Sequence, residues 1–112
     1  MKLHDLVLDS RLTTTARRHA AAMARVGIAA HKLPGGSGAR ARLRRAGVHT
    51  KRFYENVALA ATVEQAHREL WDSPSHRVAL IDPLVRRVGV GVVRRPSEGG
   101  HALFIVQHLA AR

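Results

Sequence analysis

The chain has 112 residues, no cysteine and a formal net charge of +11, from 19 Lys and Arg against 8 Asp and Glu. Disulfide frameworks, thiolate nucleophiles and cysteine-held metal are therefore excluded, and a hydrophobic fraction of 46% argues against disorder. No apolar run approaches the roughly 18 residues that cross a bilayer, and Met1-Lys2-Leu3-His4-Asp5 lacks the apolar core of a signal peptide.

The length suits one domain, residues 1–112. The positive balance favours acidic partners such as anionic polymers or lipid headgroups. Arginines are spread along the whole chain rather than clustered, so a nucleic-acid function is not expected. Aromatic residues are few, and Trp71 is the expected buried anchor.

In chain order, Asp9 to Val26 reads as a long helix. Asp9 or Ser10 is its cap, Leu12, Ala16, Ala20 and Met23 form its apolar stripe, and Gly27 ends it. A loop follows, carrying His31 and Pro34-Gly35-Gly36-Ser37-Gly38. It lacks the Gly-Lys-Ser/Thr ending and the preceding strand of a phosphate loop, and reads as a connection. Ala39 to Ala46 reads as a short basic helix stopped by Gly47, and Val48 to Phe53 as an edge strand.

Thr62 and Gln65 have capping-box spacing for a helix running to Trp71. Ser73 with Pro74 starts a second short helix that carries His76. Val85 to Val93 and Ala102 to Leu109 read as a hairpin closed by a turn over Pro96 to Gly100. Leu103-Phe104-Ile105-Val106 is apolar on both faces, which predicts a central strand covered on both sides. Gly89 and Gly91 share one strand face and leave room for a neighbouring backbone. Together these elements predict an α+β, three-layer α-β-α sandwich with a small antiparallel sheet.

Three segments stand in a fixed order: Glu55-Asn56-Val57-Ala58, Ser73-Pro74-Ser75-His76-Arg77 and Val88-Gly89-Val90-Gly91-Val92, with His31 a further 24 residues before Glu55. In these segments the chain resembles the CAP superfamily of cysteine-rich secretory, antigen and pathogenesis-related proteins, and its bacterial SCP-like extracellular branch in particular. The resemblance runs from about Leu12 to Phe104. It implies the same three-layer sandwich, an extracellular or cell-envelope location, and a chain without the usual first helix or a leader.

The resemblance also implies a central cleft lined by two histidines and acidic residues. His31, Glu55 and His76 fall at three of those positions. The second acid, three residues after a tryptophan in many relatives, is replaced by Pro74. Two imidazoles and a carboxylate suit zinc or another divalent metal, or could hold a water for general-base work. Each residue has a plainer reading. Glu55 could accept hydrogen bonds from its own loop, His76 could brace that loop, and His31 could be a surface histidine.

His108 shares a strand face with Phe104 and Val106 and can reach the cleft, but no motif supports it. Arg77 is expected to pair with Asp82, and Asn56 to cap or turn the chain. The implied function is a cleft that binds a small ligand, a lipid or an anionic surface polymer, with divalent-metal dependence as an open feature. The rivals are a weak metal-assisted hydrolase and a structural or interaction module of a larger protein.

Overall fold

Asp9 starts the first helix and ties it to the sheet. Its carboxylate accepts from the Leu12 N–H at 2.9 Å and starts the first helix, α1, over Ser10–Val26. Arg87 Nη1 donates to the same carboxylate at 3.2 Å and pins the start of α1 to the sheet. Gly27 closes the helix in the left-handed region at φ 84°, with its N–H on the Met23 carbonyl. The computed structural model describes residues 6–112. The pentapeptide Met1 to Asp5, read above as lacking a signal-peptide core, lies outside them.

The other elements are β1 (Val7–Leu8), α2 (Ala39–Arg45), β2 (Phe53–Ala60), α3 (Val63–Asp72), α4 (Pro74–Ile81), β3 (Arg87–Ser97) and β4 (Gly100–Ala110). The sheet order is β1-β3-β4-β2. β3 and β4 form the expected hairpin, with Ser97 opposite Gly100 across a Glu98-Gly99 turn in which Gly99 has φ 77°. β2 adds antiparallel to β4, and β1 adds parallel to β3, so the sheet is mixed rather than purely antiparallel.

β4 is the central strand that its double-faced apolar run predicts. On one face Phe104 and Val106 pack with Ala16, Ala20 and Met23 of α1 and with Leu33 of the following loop. On the other, Ile105 packs with Ala58 and Ala60 of β2 and with Ala66 and Leu70 of α3. Ala79 of α4 joins Leu109 and Val85 on that second face. The fold is therefore α+β, with α1 on one side of the sheet and α3 and α4 on the other.

Gly89 and Gly91 do what the sequence asks of them. A Cβ at Gly89 would lie inside the α1 backbone at Leu12 and Thr13, and one at Gly91 would meet the backbone at Ala16 and Arg17. The missing side chains let α1 rest directly on β3.

Four expectations are corrected. The strand does not occupy Val48 to Phe53 but starts at Phe53 and runs through the Glu-Asn-Val-Ala motif, because that segment finds a partner in β4. Asn56 is accordingly a buried strand residue, not a cap or turn: its Nδ2 donates to Gln107 Oε1 at 3.1 Å and to the His76 carbonyl at 3.5 Å. Trp71 is not a buried anchor but is 42% exposed, because Ala66 and Leu70 take the buried face of α3 while Trp71 lies under the Arg77 guanidinium at 5.8 Å. Arg77 is therefore not the partner of Asp82, which is held by Arg52 Nη1 at 2.9 Å and by the Tyr54 hydroxyl at 2.7 Å.

Half of the expected α3 capping box forms, and the return bond goes to the residue before the cap. Thr62 Oγ1 accepts from the Gln65 N–H at 3.0 Å, and Gln65 Oε1 accepts from the Ala61 N–H at 3.0 Å. Ser73 precedes Pro74 in extended conformation as expected, but its hydroxyl faces Ser75 Oγ at 3.2 Å and does not cap α4.

The close helix contact gives a first test. Gly89→Ala should destabilise the fold by about 2 kcal/mol or more, since the new methyl meets helix backbone that has nowhere to go. Gly38→Ala should be near neutral, because Gly38 has φ −70° and nothing within 4 Å of a Cβ. Urea unfolding of both variants measures the difference.

Candidate functional site

Glu55 stands on the β2 edge strand directly opposite His108 of β4, and Gly89 is opposite His108 on the other side. The three positions form one row across the sheet, facing α1. Because Gly89 carries no side chain, α1 comes down far enough for Thr15 to meet His108.

The Glu55 side chain is 2% exposed, yet both its oxygens are fully partnered. Oε1 accepts from His31 Nδ1 at 2.9 Å and Arg42 Nη2 at 3.0 Å. Oε2 accepts from His108 Nε2 at 2.7 Å and Arg42 Nη1 at 2.8 Å. Four donors fill the four lone-pair sites of one carboxylate, and Arg42 supplies the bidentate pair. Burial by itself would raise the Glu55 carboxyl. The hydrogen bonds from His108 and Arg42 and the charge of Arg42 outweigh that and hold it at about 2.

Arg42 does more than neutralise Glu55. Nη2 also donates to the His31 carbonyl at 2.7 Å, and Nε donates to the Ser37 carbonyl at 3.2 Å. One guanidinium thus ties both ends of the glycine-rich loop to β2. A second tie comes from His19, buried on α1, whose Nε2 donates to the Ala30 carbonyl at 2.7 Å, one residue before His31. Burial lowers the His19 pKa, and its hydrogen bond to Ala30 opposes this only in part.

His108 is fully buried, edge-on to the Phe53 ring at 5.2 Å. Its Nε2 must carry the proton that meets the carboxylate. Its Nδ1 lies 2.7 Å from Thr15 Oγ1, which is also 3.0 Å from the Leu12 carbonyl. Thr15 has one hydrogen. Given to Leu12, it leaves the hydroxyl oxygen to accept from an Nδ1–H; given to Nδ1, it fixes the neutral ring. No buried side-chain nitrogen or oxygen among the described residues lacks a partner.

Of the residues expected at the cleft, His31 and Glu55 meet and His76 stands apart. His31 is 56% exposed in its side chain. Its Nδ1 is engaged by Glu55, and no protein hydrogen bond to its Nε2 is present among the described residues. His76 sits on α4, on the face of the sheet away from α1, and is linked to the site through its backbone carbonyl and Asn56. Side chains alternate along β2, so Glu55 turns to one face and Asn56 to the other.

Among the described residues no three His, Cys, Asp or Glu side chains are grouped to hold a metal ion. The donor set explains this, because a cation at Glu55 would have to displace Arg42 from both oxygens. A tripod of His31, Glu55 and His76 does not fit this arrangement.

No motif in the sequence marks Arg42, His19, Thr15 or His108 as members of this cluster. Thr15 and His19 lie beside the α1 apolar stripe at helical spacing, which marks them as buried. Arg42 had no such mark among the four arginines of α2.

A model of the cysteine-rich secretory protein family, CAP, matches residues 1–109. The chain belongs to that family. Among solved structures, this CAP chain is similar to an extracellular protein containing an SCP domain from Bacillus anthracis, with 24% identity, TM-score 0.81, and coverage of 98% of this chain and 35% of that one. It is also similar to an outer surface protein from Borrelia burgdorferi, with 21% identity, TM-score 0.78, and coverage of 98% and 80%. Venom allergen-like protein 4 of Schistosoma mansoni follows at 12% identity and TM-score 0.69, with 99% and 71% covered. The chain spans about a third of the length of the Bacillus protein. No curated protein sequence matches it. At these identities the likeness concerns the fold, and no helix of the described residues is long and apolar enough to cross a membrane.

The Glu55 cluster sets the acid response. A carboxyl held at about 2 in the fold, against an ordinary 4.5, contributes stability that is present above 4.5 and lost as pH falls toward 2. Arg42→Met should cost about 3–5 kcal/mol near neutral pH, because it leaves a buried carboxylate short of two donors. Its Glu55-linked loss of stability below pH 4.5 should also be smaller than in the wild type, because a carboxyl less well held titrates nearer its unfolded value. Urea unfolding at stepped pH checks both effects, and coincident acid profiles would count against the role given to Arg42.

Proposed function

We propose that this CAP domain is an extracytoplasmic binding module that engages its ligand, lipid or surface polymer at the surface where exposed His31 stands over the buried Glu55. The observation that carries the reading is the saturation of Glu55. A carboxylate with four donors and a pKa of about 2 is a fixed orienting charge rather than a base that exchanges protons near neutral pH. What the site offers to a ligand is His31, exposed and aimed by a buried carboxylate behind it. The extracytoplasmic placement draws on the Bacillus and Borrelia proteins, described as extracellular and outer-surface.

A hydrolase would need a nucleophile or an activated water. The chain has no cysteine, and Ser73 and Ser75 bond each other on the far face of the sheet. Divalent metal enters this proposal through His31 alone on the α1 side. A carboxylate-backed imidazole is the usual posture of a metal-binding histidine, and His76 would have to complete a pair from across the β2 edge.

Peptide and ester substrates offered to wild type and His31→Ala should show no His31-dependent turnover. A turnover that disappears in His31→Ala would replace the module by the hydrolase. Calorimetric zinc titration of wild type, His31→Ala and His76→Ala tests the metal. Binding should fall at least tenfold in His31→Ala, and an unchanged isotherm in that variant would remove metal from this cleft.

A further inference from the structure

A second depression lies away from Glu55, on the side where α2, the segment before β2 and the start of β3 meet. It is an open groove of about 980 Å³, lined by Arg40, Arg44, Lys51, Arg52, Arg86 and Arg112 over a floor that includes Leu43 and Val48. No acidic side chain lines it. The nearest acid in the sequence, Asp82, is taken by Arg52 and Tyr54 beside the groove.

Among the described residues Arg44, Lys51 and Arg86 form no ion pair, and Arg40 reaches only the Thr50 carbonyl, at 3.5 Å. Arg42 on the same helix turns its guanidinium to Glu55, so α2 divides its cations between the two sites. Like charges gathered without counter-charge repel one another, and α2 carries basic residues without any acidic one. A bound anion relieves that repulsion.

We propose that this groove binds a linear polyphosphate, a phosphate chain without bases, along its backbone. The cations are distributed over four separate segments, on α2, before β2, before β3 and after β4, rather than focused on one point, which suits a succession of charges and not a single headgroup. They are mostly arginines, whose planar fork pairs with phosphate oxygens two at a time. No Phe, Tyr or Trp lines the groove, so it lacks the stacking platforms that hold single-stranded nucleic acid. The site is independent of the His31 cleft and stands or falls apart from it.

Fluorescence anisotropy with end-labelled inorganic polyphosphate tests the proposal. Wild type should bind with an affinity that falls steeply with salt. Arg44→Glu/Lys51→Glu should lose at least about tenfold and reduce the slope of log K against log salt by about two. Arg17→Glu/Arg18→Glu makes the same charge change on exposed positions of α1 and should retain most of the affinity, as should His31→Ala. Circular dichroism and urea unfolding establish that the variants are folded.

Equal losses in the two double variants would mean attraction to net charge alone, and would overturn the site. Single-stranded DNA, heparin or anionic vesicles binding tighter than polyphosphate of matched charge would also overturn it, in favour of a nucleic acid, a sulfated glycan or a membrane surface.

Discussion

A single buried carboxylate organises this molecule. Glu55 sits on an edge strand with its charge out of water, and such a charge persists only if its lone pairs are filled and its sign is balanced. The partners come from four places in the chain: the loop at His31, α2 at Arg42, the central strand at His108, and α1 at Thr15 behind His108. Satisfying Glu55 therefore fixes how the glycine-rich loop, the basic helix and the hairpin sit relative to one another. The Arg42 and His19 bonds to the carbonyls of His31 and Ala30 extend that order into a loop with little apolar content of its own.

The row that makes this arrangement runs across the sheet. Gly89 admits the α1 backbone, His108 lies beneath Thr15, and Glu55 ends the row at the β2 edge. A second row two residues on, Gly91, Val106 and Val57, is apolar and belongs to the core against α1. Pleat alternation assigns the remaining residues to the other face, where α3 and α4 pack. His76 is excluded from direct contact with Glu55 by the same rule that brings His108 in. The candidate site and the fold are thus coupled at one short helix-to-strand contact.

Much of the architecture was legible because local rules agreed with the global arrangement. Asp9 and Gly27 mark the ends of α1, Thr62 and Gln65 start α3, and the double-faced run at Leu103–Val106 identifies the central strand. Trp71 and Arg77 misled because their size and charge gave strong local expectations. On α3 the small Ala66 and Leu70 already fill the space beneath the helix, so the large ring is left outside with a guanidinium over it. The start of β2 was misplaced because a strand boundary depends on which neighbour pairs with it.

By itself the sequence determined the family, the α+β layering and the central hairpin. These follow from capping residues, periodicity and motif order, all of which act over a few residues or survive as a pattern along the chain. Only the tertiary structure decided who surrounds Glu55. Arg42 and His108 lie 13 and 53 residues away and no motif singles them out, while Thr15, 40 residues away, is marked by its helical spacing as buried but not as a partner of this cluster. The need to neutralise and hydrogen-bond a desolvated charge selected them, and that need exists only once the chain has folded.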